Sequence, residues 1–375
     1  MQALIDDFDA AKKREQELSD NFEDAERKCA RAKSLIEKLA TEEVNWDISL
    51  KQNKADRLNL VGDVIISSGV IAYLGVFSFQ YRDTAIAGWT TMLKEFQIKG
   101  TENFSLRDVI KSEVKIQQWF IEELPQEAFA VENAIIMDNS DRWPLMIDPQ
   151  MQGNNWIKNM NKELIRSIKP TQDSKTQTRT IRACIELGYP LILEDANETF
   201  DPMLEPLLGK QIEKKGKNMF IKIGDDNIEY DPAFQFYVTT KLSRPHFAPE
   251  VCVKVTMLNF MVTYKGLEDQ MLNIVVTHED PNNMKKRNEA IIRRAANEKK
   301  KGELEDKILN QIATSETDIL EDDVLLETLD ESKAQCKQID QQLEESQVIM
   351  RNIETIMDQF RPVALRVSRL FFVLI

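Results

Sequence analysis

Two stretches of this chain have the residue types and spacing that could act on a nucleotide. In the first, the apolar run Leu145-Met146-Ile147 leads into Asp148-Pro149-Gln150-Met151-Gln152-Gly153-Asn154-Asn155-Trp156 and then a segment of helical character. A strand turning into a helix is where a phosphate-binding loop sits. There, glycines let backbone amides wrap phosphate, a Lys reaches the β- and γ-phosphates, and a Ser or Thr hydroxyl meets magnesium. Here one Gly remains, Asn154 stands where the Lys belongs, and Asn155 stands where the hydroxyl belongs. In the second stretch, Leu191-Ile192-Leu193 ends in Glu194-Asp195, resembling a strand whose acidic end orients magnesium and water. The order is Glu then Asp, and without a loop Lys the expected role of this pair is capping or turn formation. Nucleotide hydrolysis is therefore not expected at this site.

Other chemistries find less. The two histidines, His246 and His278, have no acidic or cysteine neighbour at ligand spacing, which argues against a metal site. His246 follows Pro245 and reads as a surface or structural residue. No Gly-x-Ser-x-Gly nucleophile elbow is present. Lys214-Lys215-Gly216-Lys217 reads as a solvated turn, and Lys299-Lys300-Lys301 as the solvated face of a helix. Cys29, Cys184, Cys252 and Cys336 are far apart without a CxxC, so reduced core or seam thiols are expected rather than a disulfide framework. The expectation is no catalytic, cofactor-binding or metal residue.

The elements that would position such residues fall into three parts. The 375 residues allow two or three domains, and a net charge of -14 argues against nucleic acid or anionic lipid as partner. Met1 is followed by Asp6, Asp7 and Asp9 rather than a cationic leader. The apolar stretches Val61 to Phe79 and Leu370 to Ile375 look too interrupted or too short to cross a bilayer, so no membrane partner is expected.

From Leu4, the positions Phe8, Ala11, Glu15, Leu18, Phe22, Ala25, Cys29, Ala32, Ile36 and Leu39 continue an unbroken four-three rhythm. That is one arm of a coiled coil, a helix extending to about residue 57 past Trp46, whose partner arm is expected to lie in a longer chain. Residues from about 58 to 283 have globular texture. Four runs within them, 144–148, 190–194, 219–223 and 234–239, read as buried strands, with helical segments at 153–161 and 176–187 between the first two. That order points to an α/β sandwich. Heptad spacing returns from Leu325 through Ser332, Cys336, Ile339, Leu343, Ser346, Met350, Ile353 and Met357 to Phe360. A shorter helix from Glu289, carrying Ile292, Ala295, Leu304, Ile308 and Ile312, precedes it. The acidic link Ala313 to Asp323 folds the two into an antiparallel hairpin.

Several strings resemble one family closely. Arg142-Trp143-Pro144-Leu145-Met146-Ile147-Asp148-Pro149-Gln150, Trp156-Ile157-Lys158-Asn159-Met160 and Tyr237-Val238-Thr239-Thr240-Lys241-Leu242 look like the fifth AAA+ module of dynein heavy chains. So do Pro245-His246-Phe247-Ala248-Pro249-Glu250 and Gly266-Leu267-Glu268-Asp269-Gln270, in the same order and spacing. Arg142-Trp143-Pro144, Thr240-Lys241-Leu242 and Leu370-Phe371-Phe372-Val373-Leu374 look more axonemal than cytoplasmic.

The resemblance implies an α/β AAA+ module, a parallel sheet with flanking helices, joined to long antiparallel-type coiled-coil helices in a helix-dominated chain. Residues 1–57 would be the second, returning helix of the stalk and 58–283 a degenerate fifth module without nucleotide. Residues 284–360 would be the buttress hairpin, and 361–375, with Pro362 breaking the long helix, the start of the sixth module. It implies a minus-end-directed microtubule motor in the cytoskeleton, in the cilium axoneme by its axonemal character, with ATP and magnesium held by other modules. Implied partners are the first stalk helix and neighbouring modules of the same heavy chain, microtubules, and dynein intermediate and light chains. In the stalk seam, small Ala and Cys residues bury less than Leu, at roughly 1.5–3 kcal/mol for a large side chain, and so flatten the difference between helix registers. Glu316, Asp318, Glu321, Asp322 and Asp323 could meet basic stalk positions. The alternative is a stand-alone coiled-coil scaffold with a degenerate α/β domain.

Overall fold

No proline occurs before Pro125, so nothing in the N-terminal stretch forces a helix to stop. In the computed structural model, which describes residues 2–110, 113–216, 218–224, 226–314 and 323–374, helix α1 runs without a break from Gln2 to Gly69. It passes the expected end near residue 57 because Leu60, Val61, Val64, Ile65 and Ile66 continue its helical run. A single π-helical segment, Val70–Leu74, follows. The chain divides into two compact units, one of residues 1–56 with 293–349 and the other of residues 57–292 with 350–375.

In the first unit, Leu18, Phe22 and Ile36 of the α1 seam are exposed. The other long helices are α11 (Pro281–Thr314) and α12 (Asp323–Asp358). Asn297 Nδ2 donates to Gln342 Oε1 at 3.0 Å and Lys301 Nζ to Asp340 Oδ1 at 2.7 Å, so the two helices run antiparallel, as the heptads predict. Lys301 is thereby drawn off the expected solvated face, and its hydrogen bond to Asp340 holds its ammonium above the ordinary value. Ser332, Ile339 and Ser346 are buried at the spacing read from sequence, and so, within the second unit, are Ile353 and Met357, which cluster with Leu272, Val276 and Met284. On α11 the inward residue is Ile291 and not Ile292, which is exposed, because one residue turns a helix by about 100°. The acidic link falls at 315–322, outside the described residues, as does the side chain of Ile312.

The second unit is built on a five-stranded, all-parallel sheet in the order β2-β3-β7-β1-β8. Its strands are β1 (Trp143–Ile147), β2 (Arg166–Ile168), β3 (Leu191–Leu193), β7 (Phe236–Thr240) and β8 (Val255–Asn259). β1, β3 and β7 are buried throughout, which explains the uniform apolar runs of the first two. β2 and β8 escaped the sequence reading; β2 is three residues long, and β8 contains Thr256 and Asn259. The run near Met219 is a strand, β5 (Asn218–Ile223), but not a central one. It lies in a separate antiparallel sheet between β4 (Ile212–Lys215) and β6 (Asp226–Glu229). Its alternating Ile221 and Ile223 bury one face only, and Gly216 and Gly224, both at positive φ, follow β4 and β5. Lys214 and Lys215 thus sit on a strand edge beside the turn.

Helices cover the sheet: α2 (Phe79–Glu95), α3 (Leu106–Ile110), α4 (Glu113–Ile121), α5 (Ala128–Asp138), α6 (Gln152–Asn161) and α7 (Ser174–Leu187). Two short helices, α8 (Glu205–Leu208) and α9 (Pro249–Cys252), lie nearer the second sheet and β8, and α10 (Tyr264–Glu279) follows. One core cluster joins Ile66, Val70 and Leu74 to Trp119, Ile135, Ile136, Met146, Trp156 and Leu258. A second lies across the sheet around Leu145, Leu191, Phe236 and the hairpin isoleucines. α13 (Arg361–Leu374) has Pro362 in its first turn, where the missing N–H costs nothing, and packs on α10, with Tyr264 stacked on Phe372 at 5.6 Å. The segment Trp46–Leu74 is long and apolar enough to cross a membrane by length and composition, contrary to the sequence expectation. Ile66, Val70 and Leu74 of that segment are buried in protein.

Ile339 is almost fully buried in the hairpin seam. Ile339→Ala should cost about 2–4 kcal/mol of local stability, read as faster hydrogen exchange of α12 amides. Unchanged protection there would show that the seam does not hold the hairpin.

Candidate functional site

The loop after β1 enters α6 through Met151, whose φ of 60° is left-handed and strained for a non-glycine residue. The first turn of a helix presents unpaired amides and a positive dipole end, which is what a phosphate would use. Here the chain supplies its own anion. Asp148 Oδ1 accepts from the Gln152 amide and Oδ2 from the Asn154 amide, both at 2.9 Å. Asp148 is only 1% exposed. Burial pushes its carboxyl up to about 6, although the amides of this turn pull the other way. Asn154, in the Lys position, donates to Thr239 Oγ1 at 3.1 Å. Gly153 serves packing, since a Cβ there would lie 2.9 Å from Met146 Sδ and 3.2 Å from the Phe260 ring.

The acidic end of β3 is also engaged. Glu194 is buried, accepts from Ser167 Oγ at 2.6 Å and pairs with Lys158 Nζ at 2.7 Å, with Lys169 at 3.9 Å. Burial raises its carboxyl, but the Lys158 and Ser167 hydrogen bonds outweigh that and hold it below the ordinary value. Glu194 therefore anchors α6 and β2 rather than capping a turn. Asp195 does sit in a turn, at a φ of 54°, and its hydrogen bond from Lys241 at 2.9 Å keeps its carboxyl low. Ammonium groups stand against both carboxylates that would face magnesium, and a carboxylate stands where phosphate would. The residues present do not fit a magnesium triphosphate.

Loop side chains also lace the sheet block to α10. Gln152 Oε1 accepts from Gln270 Nε2 at 2.9 Å, and Gln150 Oε1 accepts from the Val262 amide at 3.4 Å. Thr263, the N-cap of α10, bonds Glu127, whose carboxyl burial pushes up.

The largest polar investment lies at the far end of α1. Arg82 is fully buried; its Nε donates to the Leu74 and Phe77 carbonyls at 2.9 and 3.2 Å and its Nη2 to the Gly75 carbonyl at 2.8 Å. It also reaches Asn133 Oδ1 at 2.6 Å and Glu132 at 3.2 Å, and lies 4.4 Å above the Phe129 ring. From there the bonds run into the sheet. The Asn259 amide donates to the Gly75 carbonyl at 2.9 Å, and Asn133 Nδ2 donates to the Asn259 carbonyl at 2.7 Å. Next along the chain, the Phe260 amide donates to Ile147 at the mouth of the loop. Sequence reasoning missed Arg82, Asn133, Lys158 and Lys169. The available signal was one arginine in the otherwise apolar inward face of α2.

The other candidates stay apart. His246 and His278 are exposed, each 3.7 Å from a glutamate, Glu198 and Glu279, neighbours that the sequence reading did not credit. No group able to hold a metal occurs among the described residues. None of the four cysteines is in a disulfide, and burial pushes the Cys184 thiol up to about 11.

The strand order and loop position define an AAA+ module whose nucleotide loop is filled by its own side chains. The family described as the ATP-binding dynein motor region matches residues 117–339, and the microtubule-binding stalk of dynein motor matches residues 2–92. The chain belongs to the dynein heavy chain family. It is 38% identical to human (Homo sapiens) dynein axonemal heavy chain 3 over 376 residues, covering 99% of this chain and 9% of that one. Identity to human dynein axonemal heavy chain 6 is 37% over 375 residues, 100% and 9% of the two chains. Against the dynein-1-beta heavy chain of the flagellar inner arm I1 complex of Chlamydomonas reinhardtii it is 35% over 352 residues, 94% and 8%. The chain thus spans less than a tenth of the length of these relatives.

Because the Asp148 carboxyl sits above its unfolded value of 3.8, the folded state binds more protons than the unfolded state between about pH 4 and 6. Its contribution is complete below pH 4 and is lost as pH rises through about 6. Relative to Asp148→Asn, the native protein should lose about 3 kcal/mol of unfolding free energy between pH 3.5 and 7 in urea titrations. A pH-independent difference would contradict this.

Proposed function

We propose that this chain is a relay segment of a microtubule motor, passing movement between a ring of AAA+ modules and a stalk without hydrolysing nucleotide itself. One observation carries the reading. α1, matched by the stalk family, is continued by the π-helical segment Val70–Leu74, whose C-cap Gly75 meets the edge of the sheet that bears the self-filled loop through the Gly75–Asn259 hydrogen bond. In this reading residues 1–57, continued to Gly69 by the same helix, are the returning stalk helix. Residues 58–283 are the fifth module, 284–360 the buttress and 361–375 the start of the sixth. The exposed seam residues Leu18, Phe22 and Ile36 are the face for the first stalk helix.

ATP and magnesium belong to other modules of the full heavy chain. Microtubules are met through the stalk tip and the direction of travel is the minus end. Neighbouring ring modules, intermediate chains and light chains are the remaining partners. The axonemal names of the relatives support a place in the cytoskeleton of the ciliary axoneme. No observation favours the stand-alone scaffold.

The reading is tested in the complete heavy chain by replacing Ala25, Cys29 and Ala32 with Leu. Large side chains should fix one stalk register, and the nucleotide-dependent change in microtubule Kd should fall at least tenfold. A response equal to that of the native motor would overturn the reading.

A further inference from the structure

A cavity of about 530 Å³ lies within the second unit, between the end of α4, the turn at 123–126, the start of α6, α10 and the first turns of α11. Its floor is apolar, since Leu124, Met284 and Ile291 are buried there. Its rim is rich in carboxamides, among them Asn273 and Asn288. Two of the lining groups are donors left wanting an acceptor. Gln152 takes the Gln270 side chain on its Oε1 at 2.9 Å, but its buried Nε2 meets no partner among the described residues. Arg287, largely buried, gives Nη2 to Gln126 Oε1 at 2.7 Å, and among the described residues no carboxylate stands within ion-pair distance of it. Burial loosens its hold on the proton, while Glu354 and Asp269 pull the other way from beyond that distance. A guanidinium stays charged at any ordinary pH. The one carboxylate on the lining, Glu123, already accepts from Asn159 Nδ2 at 2.8 Å.

The geometry points to this cavity as a binding site for a small organic carboxylate with an apolar body. Arg287 and Gln152 take its oxygens, and the buried floor takes its hydrocarbon. A largely buried charge without a counter-charge is costly, and an anion at Arg287 removes that cost. The ligand supplies acceptors, because both groups in need are donors. It carries one negative charge, because Arg287 is the only cation on the lining. A phosphate ester brings more charge than that, and it finds the Gln152 and Asn154 amides already held by Asp148. Gln152 belongs to α6 and Arg287 to α11, so an occupant fastens the start of α11 to the sheet block. The site stands independently of the relay reading.

Saturation-transfer NMR titrations of the 375-residue chain test it, with 4-phenylbutyrate as probe and 4-phenylbutanol as its uncharged match. Phenylbutyrate should saturate with a Kd of about 1 mM or below, and phenylbutanol should bind at least about tenfold more weakly. Arg287→Gln should weaken phenylbutyrate at least about tenfold and leave phenylbutanol unchanged, with Arg287→Lys falling between. Asn288 is exposed, so Asn288→Asp leaves the fold intact while setting a like charge at the rim. It too should weaken phenylbutyrate and spare phenylbutanol. N-acetyl-phenylalanyl-leucine, whose carboxylate ends a peptide, separates the sources of ligand. Affinity at least about tenfold above that of phenylbutyrate identifies a polypeptide C-terminus, and anything less identifies a free small carboxylate; either bears out the site. Equal binding of phenylbutyrate and phenylbutanol, native phenylbutyrate affinity in Arg287→Gln or Asn288→Asp, or no saturable binding of either acid would overturn it.

Discussion

A helix ends with carbonyls that have no partner inside it, and when that end is buried the shortfall must be made up by something specific. The rest of this structure depends on how α1 meets that demand. The carbonyls of Leu74 and Gly75, at the end of the π-helical segment that continues it, receive a guanidinium held inside the protein, and a cation at that position also complements the helix dipole. Burying Arg82 lowers its hold on the proton, but a guanidinium stays charged across any ordinary pH. Its charge is met by Glu132, its remaining hydrogen by Asn133, and its face by Phe129. An uncompensated buried charge is costly, so each neighbour is needed if the helix is to end there at all. α5 and β8 are consequently tied to α1 by directional bonds and not by apolar packing alone.

The same logic governs the loop. A nucleotide site is a collection of unsatisfied groups awaiting phosphate and metal, and the amides and carboxylates have found internal partners here. Asp148 stands in for the phosphate at the start of α6, and Lys158 stands for the metal beside Glu194. Gln150 and Gln152 reach across to the α10 region. What would be a cleft that opens and closes with ligand is a set of bonds closed without one.

The sequence exposed the long-range architecture and concealed the network. Heptad spacing is a repeated signal, and Ser332, Ile339, Ser346, Ile353 and Met357 lie buried where it put them. Uniform apolar runs revealed β1 and β3, since a strand covered on both faces has no alternation to mask it. β2 offers only Arg166, Ser167 and Ile168, and β8 is broken by threonine and asparagine, so neither stood out. The missing loop lysine was legible from identity alone. That Asp148 would take the amides was not, because the same aspartate could have pointed to solvent. Arg82, Asp63 and Lys158 are ordinary surface residue types, and only the fold shows them turned inward. The run at 219–223 reads as a buried strand, and its isoleucines are buried, but burial on one face does not reveal which sheet a strand joins.

The central claim is that the module transmits movement with its own side chains in the place of nucleotide. Isothermal titration calorimetry of this chain with ATP in the presence of magnesium tests it most directly. The account predicts no saturable heat, because the Gln152 and Asn154 amides are already held by Asp148. Saturable, magnesium-dependent binding would contradict it and would require the loop to release that carboxylate.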